Sequence, residues 1–134
     1  MIPGWTGKDE ETYPKDLFKN VSLDIPQHEF ESISPSFRRF NEESARFFYL
    51  KERFSPDFFA VVFYGTDEIQ HKFWKYMQPQ FFKDVPREEI KKFGNLIYRI
   101  YEDFDQFLGK VLKAIDKDTI IIIVSDHGFG PQVQ

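Results

Sequence analysis

TIIIIVS, residues 119–125, runs directly into Asp126, His127 and Gly128. Five consecutive apolar β-branched residues, 120–124, in so short a run favour a strand over a helix. A strand apolar on both faces implies a parallel sheet covered on both sides. Upstream, residues 58–64 (FFAVVFY) form a second run of the same kind, broken by Gly65 and Thr66. Between the two runs the spacing predicts a short helix over residues 67–77, a loop over 78–85 and a long helix over 86–116. In that long helix Ile90, Phe93, Ile97, Ile100, Phe104, Phe107 and Val111 recur at three and four. Pro86 at its start, with Glu88 and Glu89 in the first turn, suits a helix N-terminus. The order strand, helix, helix, strand predicts an α/β fold with a right-handed βαβ-type crossover over residues 57–131.

Further upstream, Phe37, Phe40, Phe47, Phe48 and Phe54 fall near helical spacing, so residues 36–55 are predicted as a helix capped by Ser34 or Ser36. Ser55-Pro56 ends it, because a residue before proline disfavours the α region. Residues 1–35 hold four of the eight prolines and read as an irregular arm, with a short helix starting at Pro14. The whole chain is read as a single partial domain.

The composition sets outer bounds. The 134 residues are 41% hydrophobic and 30% charged, which fits one globular domain. Aromatic residues reach 19%, mostly from 17 Phe, so a core can form without crosslinks. There is no Cys, which excludes disulfides and thiolate metal sites and, with no secretory signal over residues 1–11, leads to a cytoplasmic expectation. A net charge of −4 with interspersed signs speaks against a nucleic-acid surface. No segment approaches the roughly 20 apolar residues that cross a bilayer, so no membrane partner is expected.

Two constellations carry possible chemistry. Asp126 and His127 stand at the carboxyl end of the second run, the edge where open α/β sheets bind ligands. Carboxylate and imidazole there suit zinc, manganese or iron. The plain alternative is a polar strand end, with Asp126 capping a turn and His127 solvated. The other constellation is Asp67 and His71, which share one helix face at i and i+4 and can grip one ion. Its plain alternative is an N-cap aspartate beside an exposed histidine. If the strands are parallel, both pairs lie on one sheet edge, where two ions about 4 Å apart can act together.

The stretches TDEIQHKFW, IYRIYEDFDQFLGKVL and DTIIIIVSDHGFGP resemble the alkaline phosphatase superfamily. Within it they are most similar to the type I phosphodiesterase/nucleotide pyrophosphatase proteins and the archaeal and bacterial phosphohydrolase/phosphomutase group. The resemblance implies a fragment of a three-layer α/β/α fold. It also implies two divalent ions, zinc or manganese, one held by Asp67 and His71 and the other by Asp126 and His127. In the family a Thr or Ser between the metals attacks phosphorus, giving a covalent phospho-enzyme. That nucleophile, an early Asp ligand and a later His ligand have no counterpart in this sequence, so no catalytic residue is assigned. Gln70 also stands where Gly commonly precedes the His. The expectation is a partial phosphohydrolase-like domain acting on phosphate esters, inactive alone. The alternative is a non-catalytic, self-associating interaction module. In either case a second copy or a complementary polypeptide is expected over the exposed sheet edges.

Thr66 and Ser125 are read as structural rather than nucleophilic. His28 lacks a partner pattern, and Trp5 and Trp74 are read as packing residues.

Overall fold

The computed structural model describes residues 35–131. The irregular arm, the helix at Pro14, Trp5 and His28 lie outside the described residues.

Helix α1 spans Pro35–Phe54. Ser55 closes it in the left-handed region at φ 44, its N–H donating to the Lys51 carbonyl at 2.9 Å, and Pro56 prevents continuation. Helix α2 covers Tyr64–Met77, starting three residues before its predicted onset. A 3-10 turn at Pro79–Phe81 lies within the predicted loop. The long helix predicted over 86–116 is two helices, α3 at Arg87–Phe93 and α4 at Leu96–Ala114. They part at Gly94-Asn95. A Cβ on Gly94 would stand 2.7 Å from the Ile90 carbonyl and 3.2 Å from that of Tyr76, so the missing side chain lets this corner sit close to α2.

α2 is the central element, packing against α1 and α4. The core gathers Phe37 and Phe40 of α1, Ile69 of α2, and Ile97, Ile100, Phe107 and Val111 of α4. Its centre is aromatic. The Phe63 ring, just before α2, lies 4.9 Å from Phe40, 5.4 Å from Phe104 and 4.8 Å from Phe107. Such tilted and edge-on pairs add roughly 0.5–1.5 kcal/mol each beyond their buried area. Gly65 sits where α1 and α2 approach most closely: a Cβ there would meet the Ser36 carbonyl at 2.6 Å. Beside it Glu68 accepts hydrogen bonds from the buried Ser36 hydroxyl and the Arg39 guanidinium.

The α/β prediction is corrected here. Among the described residues there is no strand and no sheet; the regular structure is helical. Residues 58–63 and 119–125 are non-helical and apolar, as their composition requires, but neither is paired, and Tyr64 already belongs to α2. A strand exists only when a neighbour takes its N–H and C=O groups. Nor is there a βαβ crossover or a three-layer α/β/α arrangement among the described residues, where both runs stand unpaired. Period-two patterning still shows in their exposure. Phe59 and Phe63 turn toward the helices, while Phe58 and Val62 are 83% and 64% exposed. Ile121, at 37%, is the least exposed residue in a second run whose other members reach 60–84%.

Candidate metal centre

The first turn of α2 and the loop after the second run meet at one patch. Asp67 and His71 are one helical turn apart, and His71 Nε2 lies 3.4 Å from Asp67 Oδ1. His127 reaches the same oxygen from the loop, its Nε2 3.9 Å away. Asp126 Oδ2 is 3.8 Å from His127 Nε2, with the Asp126 side chain 89% exposed. The four residues singled out from the sequence are thus linked pairwise, His71 and His127 each to Asp67 and Asp126 to His127, without any sheet edge to place them.

The loop is held by aromatic contacts. Phe129 stacks 5.2 Å from Trp74 and meets the His71 ring edge-on at 4.7 Å. Trp74 is tied down in turn, its indole N–H donating to Gln78 Oε1 at 3.1 Å. Sequence reasoning did not single out Phe129. Its position two residues after His127 was the available signal, since a metal-site loop needs an anchor.

The hydroxyls beside the site are committed to backbone. Thr66 Oγ1 donates to the Phe63 carbonyl at 2.9 Å, and Ser125 Oγ donates to the His127 carbonyl. Gln70, packed into the helix interface, donates through Nε2 to the Thr66 carbonyl at 3.0 Å.

Whether these residues suit a metal ion turns on two atoms. Asp67 Oδ1 is buried and has no hydrogen-bond partner, although the side chain as a whole is 43% exposed. A buried carboxylate oxygen without a hydrogen bond is costly unless a cation faces it, a place that a protonated His71 or His127 or a metal ion could take. His127 supplies the other observation. Its Nδ1 donates to the Gly128 carbonyl at 3.0 Å, which leaves Nε2 on the side of Asp67. Metal-ligating histidines have their tautomer set in this way. The Gly128 carbonyl, then the Asp126 and Asp67 carboxylates, raise the His127 pKa above its ordinary value. Two ligands of a tetrahedral zinc ion stand roughly 3.3–3.4 Å apart. The Asp67–His71 separation of 3.4 Å matches, and His127 is about half an ångström too far. Among the described residues no group of three or more His, Asp or Glu side chains is placed so that it could hold a metal ion.

The family model for type I phosphodiesterase/nucleotide pyrophosphatase matches residues 3–133. The chain belongs to this family. No curated protein and no solved structure matches it. Membership in the type I phosphodiesterase family agrees with the resemblance carried by residues 57–131 and extends over nearly the whole sequence. It supports a phosphohydrolase-like domain of generally metal-dependent chemistry. Among the described residues no helix is long and apolar enough to cross a membrane.

Proposed function

We propose that this chain supplies the metal-holding part of a phosphoester hydrolase site, with Asp67, His71 and His127 as principal ligands and Asp126 as an outer carboxylate. The observation that carries this is the buried, unpartnered Asp67 Oδ1 facing two imidazole nitrogens. A bound zinc or manganese ion would supply Lewis-acid stabilisation of phosphoryl charge. The residues do the rest. His127 presents Nε2 because Nδ1 is engaged by Gly128, and Phe129 holds the loop against α2.

A pair of ions about 4 Å apart, one on Asp67 and His71 and the other on Asp126 and His127, would be the two-metal form of this site. The arrangement favours one ion first, with a second dependent on further ligands. With Thr66 and Ser125 committed to backbone carbonyls, neither is poised to attack phosphorus. We therefore expect metal binding without appreciable turnover by this chain alone.

The test is calorimetric titration of zinc and of manganese, with chromogenic phosphodiester and phosphomonoester hydrolysis run in parallel. Binding that weakens at least tenfold in His127→Ala, with no turnover, supports the proposal. Absent binding, or binding indifferent to the substitution, overturns it. Turnover that His127→Ala abolishes means that the chain assembles a working site. A second reading, a non-catalytic interaction module, is favoured by the bare apolar runs; it predicts association with no metal affinity.

A further inference from the structure

Asp67 stands in the first turn of α2, the turn with the least support from its own helix. The leading N–H groups of a helix have no acceptor within it. Phe63, the residue before α2, supplies no side-chain cap. Asp67 Oδ1 has no hydrogen bond that would fix its direction. Where that carboxylate points therefore depends on what holds the turn, and α1 holds it. Gly65 lies against the Ser36 carbonyl, and the Ser36 hydroxyl donates to Glu68 Oε2 at 3.1 Å.

Arg39 makes three contacts at this junction. Its guanidinium lies 4.5 Å over the Tyr64 ring, and Nη1 donates to Glu68 Oε1. Tyr64 opens the turn and Glu68 follows Asp67, so one side chain grips α2 on both sides of Asp67 along the sequence. From α1 itself, Glu43 accepts from Arg39 Nε at 3.2 Å, which orients the guanidinium. The Arg39 side chain is 41% exposed, so any one of these pairs alone contributes little. Three contacts on one side chain, however, share a single loss of side-chain freedom. They also require a planar group with several donors. A lysine ammonium cannot cover an aromatic face and bridge two carboxylates at once.

We propose that Arg39 is a positioning residue of the candidate metal site, setting the direction of the Asp67 carboxylate through Tyr64 and Glu68. Charge alone argues the opposite way. A guanidinium near a cation site repels the ion, so its removal should tighten metal binding. A residue that only stabilised the fold would lower the unfolding temperature and leave zinc affinity unchanged or tighter. Weaker binding on its removal is therefore the mark of positioning. The ligand role of Asp67 rests on the functional reading above, whereas the grip of Arg39 on the turn does not.

Zinc titration calorimetry of the full chain, beside amide hydrogen exchange of the metal-free chain, tests it. Arg39→Gln and Arg39→Lys should each weaken zinc binding about tenfold, the scale of losing a residue that orients a metal ligand. In the metal-free chain both should speed exchange of the Glu68 and Ile69 amides, whose hydrogen bonds close the first turn of α2. Exchange at Ile100, fully buried in α4, should stay as in wild type, which shows that the fold is intact. Zinc binding that is unchanged or tighter in both variants overturns the positioning role. A wild type that binds no zinc overturns the functional reading instead. The exchange rates then decide alone, and unaltered exchange at Glu68 and Ile69 would show that Arg39 does not hold the turn.

Discussion

Asp67 places one buried carboxylate oxygen beside the imidazoles of His71 and His127. Because Oδ1 faces both imidazoles, Asp67→Asn should weaken zinc affinity more than Asp126→Asn, whose carboxylate is largely in solvent. Titration calorimetry on the two variants would show equal losses if Asp126 were an equal ligand. Gly65 makes a steric prediction. Gly65→Ala should destabilise by about 1–3 kcal/mol, because the new methyl group overlaps the Ser36 carbonyl across the α1–α2 contact. Chemical denaturation measures this directly. Glu68 makes an electrostatic one. Burial pushes its pKa up, but hydrogen bonds from Arg39 and Ser36, with the charges of Arg39 and Lys72, outweigh it and hold the carboxyl below its ordinary 4.5. Its contribution is thus fully present above that value and is lost as pH falls through the lowered folded pKa. Partial exposure keeps it under about 1 kcal/mol. The stability gap between wild type and Glu68→Gln should close in that acid window, and a gap independent of pH would show that the ion pair is not its source. Glu43 acts in the opposite sense: burial raises its pKa, so its contribution declines as pH rises.

Among the elements, α4 and α2 carry most of the stability. Ile100 is fully buried in α4, so Ile100→Ala should cost about 2–5 kcal/mol by thermal or chemical unfolding. Gly109 is different, since a Cβ there would meet nothing within 4 Å. Gly109→Ala should stabilise the helix by about 0.5–1 kcal/mol, and any loss would mean that another chain approaches that face. The helices were legible because apolar residues at three and four leave little other choice. The break at Gly94-Asn95 was not: the apolar spacing continues through it, and only the proximity of the Tyr76 carbonyl accounts for a bare Cα. The two runs show the reverse difficulty. Composition identified them as apolar segments that avoid helix, but strand formation depends on a neighbour that no local pattern encodes.

At the scale of the whole molecule, the helices leave apolar side chains such as Phe58, Val62, Ile120, Ile122 and Val124 largely exposed. If these pair with a second copy, the unfolding temperature should rise with protein concentration, because association stabilises only the folded form. A concentration-independent transition would count against it. The apolar runs at residues 58–64 and 119–125 led to an α/β architecture that the helical structure replaces.

Family membership was legible in the sequence alone, and so was the choice of Asp67, His71, Asp126 and His127 as candidate ligands. Asp-x-x-x-His lies on one helix turn by backbone geometry, and Asp-His-Gly after an apolar run is a local chemical signature. The tertiary structure decided that His127 swings against Asp67, that Phe129 pins it there, and that the apolar runs remain unpaired. Those outcomes depend on contacts between residues more than fifty positions apart, whose energies come from packing and burial rather than from local preference.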